Sequence, residues 1–182
     1  MMMWAFLGSD CMFFGSLLAT YLVYKNQNQS GPLPVDVFSI PITSVSTFVL
    51  LMSSMSMVLA YAALTRGKMK SFRIWLASTA IMGATFIGFQ IFEFRTFALE
   101  GLTPRTNMFG TTFFTLTGFH GAHVTVGVIW LLSILFYSFK RGGITPRHEL
   151  EVDLAALYWH FVDIVWIVIF TVIYLFGVFE GF

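Results

Sequence analysis

The chain has 182 residues, of which 57% are hydrophobic and only 10% are charged, and its formal net charge is +1. A soluble domain carries roughly 25% charged residues, so this composition and a mean hydropathy of +0.80 exclude an ordinary soluble protein. This net charge argues neither for nor against an acidic partner, and no basic cluster with interleaved aromatics suggests nucleic acid. The single cysteine, Cys11, excludes an internal disulfide.

Five apolar stretches predict five transmembrane helices, because about 20 residues cross the roughly 30 Å of hydrocarbon in a bilayer. We place these spans at about residues 4–24, 42–64, 74–97, 108–139 and 152–179. The first stretch lacks the basic start and cleavage pattern of a secretory signal, so we expect it to be retained as a helix. The loops are short, and we therefore expect one all-α transmembrane domain over residues 1–182.

The first span contains an acidic residue, Asp10. A carboxylate inside the membrane costs roughly 2.5 to 3.5 kcal/mol on insertion scales unless it is protonated or has a partner. A structural interpretation is that a neighbouring serine or backbone group caps the carboxylate. The polar, proline-containing residues 25–41 then form an exposed connector.

The second span is rich in serine and threonine. We interpret these hydroxyls as packing groups rather than as the lining of a pore, because they hydrogen-bond within a helix or to a neighbour. The third span carries Gln90 and Glu93 near its far end. Residues three apart share a helical face, so we expect both to turn inward, with an interfacial Glu93 as the alternative.

The fourth span contains the run LTGFHGAHV at residues 116–124. Its two histidines, His120 and His123, share a helical face. Lipid offers them no partner, so we expect that face to be covered by other helices. The glycines and the alanine beside them would let another helix approach closely.

A basic turn with Lys140 and Arg141 follows the fourth span. These side chains either mark the membrane boundary or bind a lipid phosphate. The fifth span carries His160 and Asp163, again three residues apart, for which a contact within the helix is the simplest interpretation.

The basic residues are distributed unequally between the two sides of the predicted bundle. Seven lie on the side shared by the N-terminus, the second loop and the fourth loop, and three lie on the other side. Short cytoplasmic loops retain Lys and Arg. We therefore predict a cytoplasmic N-terminus, an external C-terminus and Asp10 in the cytoplasmic half of the membrane.

Several kinds of chemistry could use these polar residues. A haem with two histidine ligands, His160 with His120 or His123, is not excluded by the spacing. A di-iron enzyme fits poorly, because its ligands recur in repeated sets and this chain has only four histidines. A transporter would show repeated halves or broken helices. The residues alone lead to a five-helix membrane protein with a polar interior.

Two ordered runs carry a family resemblance: TGFHGAHV at residues 117–124, followed by Gly127, and YWHFVDIVW at residues 158–166. With weaker support from FQIFEF at residues 89–94 and SDCMFF at residues 9–14, the chain resembles subunit III of the haem-copper terminal oxidases, the cytochrome c and quinol oxidase family. The resemblance spans nearly the whole chain. It departs from the family at Asp10, where glutamate is usual, and at Ser46, where asparagine is common.

The resemblance implies a short five-helix form that lacks the first two of seven helices, located in a prokaryotic cytoplasmic membrane. It implies a non-catalytic subunit, most simply of a cytochrome c oxidase in aerobic respiration. Haem and copper would lie in subunits I and II, while this chain would pack on subunit I, bind phospholipid, and support proton uptake and sustained turnover. The alternatives are an accessory protein of nitric oxide reductase, similar in fold and motif, and an autonomous haem-binding cytochrome.

The expected site therefore has no catalytic residue and no metal ligand. Its buried polar residues, which we associate with proton uptake, are Asp10, Gln90, Glu93, His120, His123, His160 and Asp163. The two residues proposed to contact lipid are Lys140 and Arg141.

Overall fold

The computed structural model describes residues 2–24, 40–99, 108–140 and 143–175. In these residues it has five long helices, which are α1 (Met2–Tyr24), α2 (Ile40–Thr65), α3 (Met69–Leu99), α4 (Met108–Ser138) and α5 (Glu149–Ile169). A 3-10 turn, Pro146–His148, leads into α5, and a π-helical turn, Phe170–Leu175, continues it. All five helices are long and apolar enough to cross a membrane, which confirms the predicted all-α membrane fold.

The turn between α2 and α3 is shorter than the sequence indicated, because α3 begins at Met69 rather than near residue 74. Gly67 has a positive φ of 69°, a conformation that costs glycine little. The N–H groups of Gly67 and Lys68 donate to carbonyls in the last turn of α2, both at 2.9 Å. This paired pattern ends a helix abruptly and lets the next helix start at once.

The first turns of α3 include charged residues, which is why a boundary drawn at the last charge falls too late. Lys70 is exposed, and the Arg73 guanidinium donates to the backbone oxygen of Ser138 at the end of α4. The same guanidinium lies 4.7 Å from the centre of the Phe139 ring, a favourable cation–π distance. Arg73 therefore ties the start of α3 to the end of α4.

The fifth helix also begins earlier than predicted, at Glu149 rather than near residue 152. The Tyr61 hydroxyl donates to the Glu149 carboxylate at 2.7 Å and so connects α2 to the start of α5. Residues 176–179 of the predicted fifth span lie outside the described residues.

The helices form a bundle in which α2 and α3 make the most extensive pair. Helix α3 also packs on α4, α5 packs on α2 and α4, and α1 lies against α4 and α5. Trp159 of α5 is 2% exposed and is enclosed by α3 and α4 at positions where both are glycine, Gly83 and Gly127. Small residues allow this close approach, so the indole lies at the centre of the bundle.

Candidate functional site between the helices

The acidic residue of α1 meets a histidine of α4. Asp10 Oδ2 lies 3.5 Å from His123 Nε2, and the two side chains are 14% and 21% exposed. His123 Nδ1 lies 2.7 Å from the carbonyl oxygen of Phe119, which can only accept, so Nδ1 carries a hydrogen. Attraction between Nε2 and Oδ2 then requires one more proton, held either by the imidazole or by the carboxyl group. At this distance the two groups form a long ion-pair contact between α1 and α4, and Asp10 Oδ2 has no hydrogen bond among the described residues.

The other histidine of α4 lies in an apolar environment. His120 is fully buried, its ring stacks on Trp166 at 4.9 Å between centroids, and the rings of Phe14 and Phe86 approach it at 6.4 and 6.0 Å. Neither ring nitrogen has a hydrogen-bond partner among the described residues. The two histidines predicted to share a face therefore have different surroundings.

Hydroxyl groups of α2 form hydrogen bonds with polar side chains of α5. The indole Nε1 of Trp159 donates to Ser53 and that of Trp166 donates to Thr47, both at 3.0 Å. The Ser54 hydroxyl donates to Asp163 Oδ2 at 2.6 Å, while Asp163 Oδ1 has no partner among the described residues. A buried indole needs an acceptor, so Thr47, Ser53 and Ser54 of α2 serve as packing partners for α5.

No hydrogen bond joins His160 to Asp163 among the described residues, and the interaction between them is electrostatic. Asp163 is 5% exposed and its recorded bond goes to Ser54 on α2. His160 is half-buried and interacts with Asp163 only electrostatically. The i,i+3 spacing brought the two residues to one side of α5 but did not select their partners.

We expect Ser54→Ala to lower the free energy of unfolding by about 1 to 3 kcal/mol, because it leaves both oxygens of a buried carboxyl group without a donor. The measurement is thermal unfolding of the purified complex, followed through retention of this chain. Ser133→Ala is the matched control, since the exposed Ser133 hydroxyl donates only to Trp130 of its own helix. Equal melting temperatures for the two variants would contradict the role of Ser54.

Gln90 and Glu93 of α3 are both buried, at 7% and 5% exposure, but they contact different helices. The Gln90 amide donates to the carbonyl oxygen of Thr117 on α4 at 2.8 Å. Glu93 accepts a hydrogen bond from the Thr43 hydroxyl of α2.

Glu93 belongs to a polar cluster that the sequence did not reveal. Tyr174, in the π-helical turn after α5, also hydrogen-bonds Thr43 and interacts electrostatically with Glu93 and Tyr21. These residues come from α1, α2, α3 and the end of α5, and all four are buried. Only the residue types could have indicated this cluster. A buried Tyr has one polar atom, its hydroxyl, which requires a hydrogen-bond partner.

The two proposed lipid contacts are placed differently. Lys140 is exposed just after the end of α4, and Arg141 lies outside the described residues. Among the described residues, no group of three or more His, Cys, Asp or Glu side chains could hold a metal ion.

Comparison with known proteins agrees with this architecture. A family model described as cytochrome c oxidase subunit III matches residues 1–178. Subunit 3 of a quinol oxidase from Bacillus subtilis (strain 168) is 41% identical over 174 residues, which cover 96% of this chain and 85% of the relative. Subunit 3 of a cytochrome c oxidase from Bacillus sp. (strain PS3) is 38% identical over 174 residues, with 96% and 84% covered.

A third relative, cytochrome bo(3) ubiquinol oxidase subunit 3 of Pseudomonas putida, is 41% identical over 175 residues, covering 96% of this chain and 84% of the relative. These matches favour an oxidase subunit over a nitric oxide reductase accessory protein or an autonomous cytochrome. The predicted resemblance is confirmed, and the chain belongs to the cytochrome c oxidase subunit III family, as a five-helix subunit III of a haem-copper oxidase.

Proposed function

We propose that this subunit packs against subunit I of its oxidase, holds phospholipid and sustains proton uptake during turnover, while subunits I and II carry haem and copper. The observation that carries the proposal is which hydrogen-bond partners the buried polar side chains have. On α2, Ser53 accepts a hydrogen bond from Trp159 and Ser54 donates one to Asp163 of α5. Thr43 of α2 donates to Glu93 of α3. Many buried polar groups therefore connect one helix to another. Such a rigid bundle suits a supporting subunit.

The proton-related part of the proposal rests on Asp10 and His123. Asp10 Oδ2 lies 3.5 Å from His123 Nε2, and both side chains keep some exposure. With the N-terminus in the cytoplasm, as the basic residues favour, the pair lies on the cytoplasmic side or near the middle of a prokaryotic cytoplasmic membrane. A group that exchanges a proton there could assist supply to subunit I.

The lipid-related part rests on a groove between α1 and α5. It has a volume of about 180 Å³ and is lined almost entirely by apolar groups, including Phe14, Leu18, Phe161 and Val165. An acyl chain fits this chemistry. Lys140 and Arg141, which follow α4, are a separate candidate for contacting a lipid phosphate at the membrane surface.

Removal of this chain provides the test. Oxidase purified without it should keep its haem spectrum and its initial turnover, but should inactivate sooner and contain less phospholipid. The measurements are the optical spectrum, oxygen consumption over many turnovers with reduced quinol and with reduced cytochrome c, and lipid mass spectrometry. Immediate loss of the haem bands would contradict the assignment of haem to the other subunits.

Asp10→Asn in the complete enzyme separates charge from packing. We expect a roughly threefold shorter active lifetime, because a polar contact between membrane helices is worth about 0.6 kcal/mol on average. Ser16→Ala on the same helix is the control, since its hydroxyl donates only to Phe13 of α1. An equal lifetime for Asp10→Asn and wild type would remove the Asp10 part of the proposal.

A further inference from the structure

One outward-facing strip of α4 differs from the rest of the bundle surface. It consists of Thr115, Gly118, Ala122 and Thr125, which follow one another at intervals of three and four residues. A Cβ added at Gly118 would meet nothing within 4 Å. This spacing matches the seam along which a second helix packs, and small residues are enriched where membrane helices approach closely.

Two depressions lie on either side of Gly118. One of about 340 Å³ is lined by Phe114, Thr115, Gly118, Phe119 and Ala122. The other, of about 210 Å³, lies between α3 and α4 and includes Gln90, Gly118, Gly121 and Thr125 in its lining. Depressions that alternate with small residues along a helix are the shape that side chains of a crossing helix fill.

Gln90 gives this groove a polar requirement. Its amide lies flat on α4, because a Cβ at Gly121 would come within 2.7 Å of Gln90 Oε1. The Nε2 group is occupied by Thr117, whereas no described residue donates to Oε1. The side chain is 93% buried, being 7% exposed, and its free acceptor belongs to a residue that lines the groove. An acceptor without a donor is costly in hydrocarbon.

The threonines beside the groove do not supply that donor. The hydroxyl of Thr115 donates to Thr111 and that of Thr125 donates to Gly121, at 2.7 and 2.8 Å, both within α4. An acyl chain has no hydrogen-bond donor. By contrast, the outward face of α2 consists of bulky apolar side chains, including Phe48, Met52 and Met55, which suits lipid.

We propose that the groove between α3 and α4, defined by Gln90, Gly118, Gly121 and Thr125, is the surface on which a transmembrane helix of another oxidase subunit docks. The docking helix carries a hydroxyl, amide or indole donor at the level of Gln90. Its side chains fill the depressions beside Gly118. The inference rests on the proposed function, because it names the face that the association uses.

The first experiment compares Gly118→Leu with Gly88→Leu in the tagged chain within the complete oxidase. Gly88 is an equally open glycine on α3, but it lies in a different groove, with Ile42, Thr85, Phe89 and Phe92. We expect Gly118→Leu to reduce the haem recovered per tagged chain by roughly tenfold, and Gly88→Leu to leave it unchanged. Equal recovery for both, whether high or low, would overturn the docking surface.

The second experiment identifies the occupant without depending on assembly. A photoreactive benzoylphenylalanine at Ala122 should give an adduct with another oxidase subunit, whereas the same group at Met52 on α2 should give lipid adducts. Adducts at Ala122 with lipid only, or with a second copy of this chain, would overturn the proposal.

Gln90→Leu should weaken retention of the chain in detergent by roughly threefold. Unchanged retention would show that the docking helix has no donor that bonds to Gln90.

Failure of the proposed function and failure of the docking surface give different experimental results. Wild-type chain that recovers no haem at all would reject the proposed function. Wild-type chain that recovers haem while Gly118→Leu recovers as much would reject only the docking surface.

Discussion

Gly83→Ala should lower the free energy of unfolding of this subunit by about 1 to 3 kcal/mol, the usual cost of forcing extra volume into a packed core. The added Cβ would lie 2.5 Å from Trp159 Cη2 and 2.9 Å from a methyl group of Val128. The indole cannot retreat, because Gly127 of α4 closes its other side, where a Cβ would come within 2.9 Å. Its Nε1 is also held by Ser53 of α2 at 3.0 Å.

The matched control is Gly88→Ala on the same helix, where a Cβ would meet nothing within 4 Å. That change should leave stability the same or raise it slightly, since alanine forms helices better than glycine. Thermal unfolding of the complete complex, with retention of this chain as the readout, measures both. If Gly83→Ala were as stable as Gly88→Ala, the tight enclosure of Trp159 would be wrong.

His120→Ala is expected to cost about 2 to 5 kcal/mol, because it leaves a cavity among large, fully buried rings. The imidazole fills the space beside Phe14, Phe86 and Trp166 and forms no hydrogen bond with any described residue. His120→Leu keeps a side chain of similar volume and removes two buried polar atoms. It should therefore stay within about 1.5 kcal/mol of wild type, as volume-conserving core substitutions do.

The comparison of the two variants separates packing from polarity. Both should be measured in the assembled oxidase by thermal unfolding and by the haem spectrum, which should be unchanged. If His120→Leu were as destabilised as His120→Ala, the ring nitrogens would have a polar partner, such as a buried water, and the role of His120 would be polar rather than steric.

The sequence predicted the helices well because membrane helices are determined by long apolar runs, and each run in this chain is separated from the next by polar or glycine-containing residues. Their ends were less predictable. The start of α3 depends on the positive φ of Gly67 and on Arg73 finding the Ser138 carbonyl. Neither contact can be read from hydropathy, which treats the charges as the end of the membrane span.

The site illustrates a limit of helical periodicity. Residues three apart, such as Gln90 and Glu93, differ by about 60° around the helix axis. On α3, which packs against both α2 and α4, that angle is enough to direct Gln90 to Thr117 and Glu93 to Thr43. A shared face predicted that both residues are buried, but their partners depended on the arrangement of neighbouring helices.

The position of α1 bears on how the protein is made. This helix precedes the other four described helices in the chain, yet it packs against α4 and α5, which are synthesised after α2 and α3. The short turn at Gly67 lets α2 and α3 enter the bilayer as a hairpin and pair immediately. At that stage the partners of α1 have not yet been made. During that interval Asp10 has no His123, and its carboxyl group must be kept in the translocon, at the water interface or in neutral form. Among the described helices, α1 therefore completes its contacts last although it is made before the other four.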